Sequence, residues 1–397
     1  MKKKLLFIMP SLTSGGGEKS LVTLLNKIDF DRYDVDLFLL VHEGLFMEYI
    51  PPQVRLLPLT DTYRLFSLPL FESFRKLLLG GHGLLACNRL MFSLISRMGS
   101  NISRKEQYTW KYLAASLKRL PQSYDVAIGF LENTSTYFCV DKVNAVKKVG
   151  WVHIDYEKLG MDPNFDRPYF KKLDSIVTVS EQCAQVLKQR FPEEQHKVEV
   201  IYNIVSPSMI HAMAEQVDNI YKKQDDEIVI LSVGRLHYQK GFEMAVESCK
   251  KLVDRGYNVK WSIIGEGEER GKLTALIEHY RLNDHFHLLG LRSNPYPYIK
   301  QADIYVQTSK FEGKSIAIDE AKILNKPILV TNFSTAKDQI EHGRDGWIVA
   351  MNADAIADGI EKLIQDNSLR MKLSTNLSRL KLGTEEEIHK FYGLVNG

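Results

Sequence analysis

Two glutamates eight positions apart frame the segment Glu312-Gly-Lys-Ser-Ile-Ala-Ile-Asp-Glu320-Ala-Lys. The preceding run Asp303-Ile-Tyr-Val-Gln-Thr-Ser309 reads as a strand, and Ile316, Ile318, Ala321, Ile323 and Leu324 read as a helix after Ser315. Glu312 then falls on the strand-to-helix loop and Glu320 about two turns into the helix. The first N–H groups of a helix have no partner within it and suit a phosphate or sugar oxygen. Carboxylates beside them accept hydrogen bonds from ligand hydroxyls. The plainer alternative is a solvated loop glutamate and an exposed helix glutamate.

Other chemistry-bearing residues recur at the ends of strand-like runs. Arg235 and Lys240 bracket the loop Gly234-Arg-Leu-His-Tyr-Gln-Lys240-Gly241. A guanidinium fork and an ammonium suit a diphosphate, although a local ion pair and an exposed lysine would serve as well. Gly15, Gly16 and Gly17 close the first strand and let backbone N–H groups approach a ligand. They are not a Walker A loop, because Glu18 stands where its second glycine belongs. Gly265-Glu-Gly267-Glu-Glu-Arg270 is placed like a dinucleotide fingerprint, but Glu266, Glu268 and Glu269 would repel a pyrophosphate. His153 ends the strand Trp151-Val-His153, where a structural histidine is also expected. Asn203 ends another strand and could equally cap a turn.

The elements that must position these residues alternate strand and helix throughout. Leu5–Pro10, Val35–Val41, Asp125–Gly129, Lys148–Val152, Ser175–Val179 and Val198–Ile201 are continuous apolar runs, as parallel sheets covered on both faces require. The pattern restarts at Glu227–Val233 after the polar stretch 218–226. It continues through Val259–Ile264, His287–Leu289, Ile304–Gln307, Pro327–Val330 and Gly346–Val349. Two doubly wound α/β domains are predicted, 1–205 and 206–380, facing each other across a cleft, with a C-terminal helix within 381–397 crossing back. An insert at 64–119 breaks the rhythm. It is helical, greasy and basic: ten Lys/Arg less Glu72 and Glu106 leave +8. Such a segment suits an amphipathic surface on an anionic membrane, or packs on the first domain with its cations in water.

Hydrophobic content of 44% and charge of 25% fit an ordinary soluble protein, and a net charge of +3 does not argue for nucleic acid. The four cysteines are scattered, which argues against a disulfide framework or zinc site and fits a reducing cytoplasm. The apolar run Leu5–Met9 is too short for a signal peptide and reads as a buried strand.

In this order the motifs resemble the retaining glycosyltransferases of family 4, which have the two-domain GT-B fold. The resemblance rests on Gly15-Gly-Gly-Glu18, Val233-Gly-Arg-Leu with Lys240-Gly, Ile264-Gly-Glu-Gly, Leu289-Gly-Leu, Glu312 with Glu320-Ala, and Asn325-Lys-Pro-Ile. It implies a nucleotide-sugar donor, a UDP-sugar or else GDP-mannose, held mainly by the second domain. Glu320 would bind ribose hydroxyls, and Glu312 the transferred sugar. Arg235 and Lys240 would hold the diphosphate, with no metal or other cofactor. The N–H groups of Ser315 and Ile316 would touch the sugar and those of Gly16 and Gly17 the phosphates. Asn203 joins the donor-binding set, and His153 would approach the sugar from the first domain. The acceptor would be a glycan, polyprenyl-diphosphate-linked, in surface polysaccharide assembly at the inner face of the membrane. Lys314 departs from the family's Glu-Gly-Phe pattern and bears on sugar choice. A nucleotide-sugar epimerase of related fold and a non-catalytic assembly subunit are the alternatives.

Overall fold

The computed structural model describes residues 2–13, 15–99, 101–217, 220–221 and 226–397. The predicted boundary stretch 218–226 lies largely outside the described residues, as does Ser14 of the first glycine-rich loop. The chain divides into two compact units. The first comprises Met1–Thr13, Gly17–Tyr202 and Ile388–Gly397, and the second Asn203–Glu387 with Ser14–Gly16.

The first unit is built on a seven-stranded sheet in the order β3-β2-β1-β4-β5-β6-β7. Its strands are β1 Lys3–Met9, β2 Tyr33–Leu39, β3 Arg55–Leu56, β4 Ser123–Gly129, β5 Asn144–Val152, β6 Ser175–Thr178 and β7 Val198–Val200. Every pairing is parallel. Leu5, Leu6 and Phe7 are completely buried, which is why this strand reads as an unbroken apolar run. The two-residue edge strand β3 has no such signal and was not expected. The last helix, Glu387–Asn396, packs on this sheet. Phe391 stacks on Phe7 at 6.0 Å, and Lys3 Nζ and Lys147 Nζ donate to the carbonyls of Val395 and Leu394.

The second unit repeats the topology with six parallel strands in the order β10-β9-β8-β11-β12-β13. These are β8 Ile228–Val233, β9 Val259–Ile264, β10 Phe286–Gly290, β11 Ile304–Gln307, β12 Ile328–Thr331 and β13 Trp347–Val349. Both sheets therefore reverse their strand order once, between β1 and β4 and between β8 and β11. Loops leaving the carboxyl ends of such neighbours diverge and open a crevice where α/β proteins bind ligands.

The insert forms four helices, Asp61–Ser67, Leu70–Leu79, Gly83–Arg97 and Ile102–Ala114. Phe66, Leu77, Leu85 and Ala86 make a small core of their own. The last of the four helices is tied to the main body by Trp110 in the first unit's core. Phe71, Leu78 and Leu79 recur at one-turn multiples on the second helix and stay exposed, as do Leu84, Met91, Leu94 and Met98 on or just after the third. Among the described residues no helix is long and apolar enough to cross a membrane.

Candidate functional site

In the second unit the two loops at the strand-order reversal carry Arg235–Lys240 and Glu312–Ser315, and they meet. Glu312 is only 6% exposed, so it is not a solvated loop residue. Its Oε1 accepts from Lys240 Nζ at 2.6 Å, Ser309 Oγ at 2.6 Å and Gln307 Nε2 at 3.1 Å. Its Oε2 accepts from Gln239 Nε2 at 3.1 Å. A carboxylate offers about four acceptor sites. Three donors crowd one oxygen here and a single donor serves the other. Lys240 is paired, not exposed, and Arg235 on the same loop is an exposed residue.

Glu320 lies on helix Ile316–Ile323, which starts after Ser315 as expected, and four residues place it little more than one turn from that start rather than two. It is 2% exposed and accepts from the Tyr296 hydroxyl at 3.1 Å. Burial pushes the Tyr305 phenol upward, and the nearby Glu320 and Glu312 carboxylates add to that rise.

The N–H of Ser315 donates to Gln339 Oε1 at 2.8 Å, while Gln339 Nε2 donates back to the Ser315 carbonyl at 2.8 Å. This amide clamp already occupies the N–H that was expected to touch a sugar. Ser315 Oγ donates to Gln307 Oε1 at 2.8 Å, which ties the helix start to the Glu312 cluster. Ile316 is the first residue of the helix and is buried. Lys314 is nearly buried and lies 3.5 Å from Asp319, whose Oδ2 has no hydrogen bond.

Gly265 and Gly267 serve packing. A Cβ on Gly265 would lie 1.9 Å from the Gly234 carbonyl oxygen, and one on Gly267 would lie 2.3 Å from that of Leu236. The glycines let the Arg235 loop pass against the end of β9, which accounts for the motif without a dinucleotide. Asn203 is buried, and its carbonyl accepts from Thr384 Oγ1 at 2.5 Å.

Gly16 and Gly17 open helix Gly16–Leu25, Gly16 counted with the second unit and Gly17 with the first. His153 follows the end of β5, and its N–H donates to Glu132 Oε2 at 3.0 Å. Its ring lies 4.9 Å from Phe130 and 6.0 Å from Trp151. Burial pulls its pKa down to about 3, so the imidazole is neutral at physiological pH. Sequence reasoning assigned no site role to Gln239, Gln307, Ser309 or Gln339; the first three lie in or beside loops already singled out, and Gln339 lies 24 positions beyond Ser315.

This fold, two parallel sheets each reversing order once, is that of the GT-B glycosyltransferases. The structure of Anabaena HepE in complex with UDP-glucose superimposes with a TM-score of 0.68 at 17% identity, over 99% of each chain. Residues 213–379, less than half of the chain and all within the second unit, match the family model for glycosyl transferases group 1. An uncharacterized glycosyltransferase of Methanocaldococcus jannaschii is 26% identical over 57% of this chain and 64% of its own length. The capsular polysaccharide biosynthesis glycosyltransferase CapM of Staphylococcus aureus is 30% identical over 51% of this chain and 55% of its own. A Campylobacter jejuni N-acetylgalactosaminyltransferase, named for a diphospho-undecaprenol-linked substrate, is 27% identical over 51% and 53%. The chain thus spans between about half and two thirds of the length of these curated relatives.

Proposed function

We propose that this chain is a retaining, metal-independent glycosyltransferase. It moves a sugar from a UDP-sugar to a lipid-linked glycan in surface polysaccharide assembly. The observation that carries this reading is the Glu312–Lys240 knot at the strand-order reversal of the second unit, with Arg235 on the same loop. Glu312 Oε2, with one donor in place, has capacity for a sugar hydroxyl. Arg235 and Lys240 supply fixed positive charge for a departing diphosphate, the role a metal plays elsewhere. Glu320 offers a buried carboxylate to ribose hydroxyls. The Anabaena structure's UDP-glucose supports the donor class, and the Campylobacter relative's name supports the acceptor class.

UDP is expected to raise the melting temperature, since a ligand bound only by the folded state stabilises by about 2.7 kcal/mol at a hundredfold excess over Kd. Glu320→Ala is expected to weaken UDP roughly 10- to 100-fold, the effect of losing a charged hydrogen bond. Titration calorimetry measures this directly; an unchanged UDP affinity would remove Glu320 from the donor site.

Association with an anionic membrane surface follows from the insert, where exposed Phe71, Leu79 and Leu84 sit among exposed Arg75, Lys76 and Arg97. Each basic residue near an anionic surface contributes about 1 kcal/mol. Arg75→Ala with Arg97→Ala is therefore expected to cut binding to anionic vesicles roughly thirtyfold. Equal sedimentation with anionic and neutral vesicles would sink the electrostatic part.

A further inference from the structure

We propose that Glu132 is a sugar-hydroxyl ligand presented by the first unit. The inference rests on the glycosyltransferase reading and extends it to a residue outside the donor cluster.

The topology places Glu132 well. The first sheet reverses order between β1 and β4, and Glu132 lies on the loop between β4 and helix Thr134–Lys142. Glu312 occupies the corresponding loop in the second unit, after β11. The two loops at the first reversal are packed together. A Cβ on Gly17 would come within 2.9 Å of Leu131 Cδ2, so the β1 loop lies against the side chain of the residue that precedes Glu132. Glu18, next to Gly17, is buried, and its charge adds to the rise at Glu132.

The backbone at the next residue is strained. Asn133 has φ 60° and ψ −124°, a region seldom populated by any residue with a side chain. The fold holds this conformation while presenting a carboxylate that burial, reinforced by Glu18, pushes above its ordinary pKa range. Burying that charge costs stability. A glutamine there would keep the bond from the His153 N–H without the charge. The carboxylate is therefore unexplained by folding.

A second observation points to the ligand's chemistry. The Phe130 carbonyl favours a proton on the His153 ring, and Nε2 is shielded from solvent with no partner among the described residues. A neutral imidazole that donates to a carbonyl through Nδ1 leaves Nε2 as an acceptor. Glu132 and His153 Nε2 together offer acceptors only. Such a pair accepts O–H donors and repels phosphate. A polyhydroxylated ring, a sugar, has the required chemistry.

The test compares wild type with Glu132→Gln, using UDP, UDP-glucose and phenyl glucoside as probes. Without ligand, Glu132→Gln should melt at the wild-type temperature or above. UDP should stabilise both proteins equally. Turnover of UDP-glucose should fall at least tenfold. Loss already in UDP-glucose hydrolysis assigns the hydroxyl to the donor sugar, and loss confined to transfer onto phenyl glucoside assigns it to the acceptor. A lowered melting temperature with turnover intact marks a structural residue and overturns the proposal, as does a variant unchanged in every measure. If UDP fails to stabilise wild type, the nucleotide-sugar reading falls, and this inference with it.

Discussion

Replacing Lys240 by methionine is expected to destabilise the second unit by about 3 kcal/mol and to remove most transfer activity. The ammonium is largely buried against a carboxylate that is more buried still, with side-chain exposures of 18% and 7%. Taking away the cation leaves Glu312 held by two glutamines and a serine, with its charge uncompensated inside the unit. Breaking one partner of a buried pair costs more than the pair contributes, because the survivor keeps its desolvation penalty. The double variant Lys240→Met with Glu312→Gln should therefore regain most of the lost stability. A double-mutant cycle by urea denaturation measures that coupling, and simple additivity of the two losses would refute it. Activity should not return with stability. On the proposed function Lys240 faces the leaving group, and loss of a preorganised charge there costs roughly 10²–10³ in kcat.

Much of the framework behind that cluster was legible in the sequence, for a physical reason. Strands buried on both faces must be apolar throughout, and Val259–Ile264 was read to the residue. The two-residue strand β3 lies at a sheet edge, where nothing demands such a run. The strand-to-helix loops were legible too, because glycine and charge interrupt the apolar rhythm. What could not be read was how the loops bond to each other. Gln239 and Glu312 are 73 positions apart, and no periodicity links them. The Ser315–Gln339 clamp is of the same kind. Glu132 drew no notice because it belongs to no motif. Its significance comes from a sheet order that is visible only once the strands are paired.

The second large effect is on stability against pH, and it comes from His153. Burial lowers its pKa from 6.5 to about 3. The unfolded chain takes up a proton as pH falls below about 6.5, while the folded chain declines it until about pH 3. The unfolded state thus binds more protons across that window, so stability rises with pH by about 1.4 kcal/mol per unit. The contribution is fully present above pH 6.5, and about 2 kcal/mol of it is lost between pH 6.5 and 5. Asp166 runs the other way. It is completely buried, accepts from Tyr137 and Tyr156 at 2.5 Å each and from Gln107 at 2.9 Å, and burial raises it from 3.8 to about 6. Here the folded chain keeps a proton that the unfolded chain has released, so stability falls by about 2 kcal/mol between pH 4 and 6. In wild type the two slopes oppose each other over that range. His153→Gln should unmask the Asp166 slope, giving a protein that weakens as pH rises from 4 to 6. Asp166→Asn should unmask the other, giving a protein that strengthens over the same range. Urea denaturation at several pH values reads the slopes apart from any constant packing penalty. Parallel curves for wild type and His153→Gln would mean that the imidazole titrates normally, and the neutral acceptor assigned to it beside Glu132 would be lost.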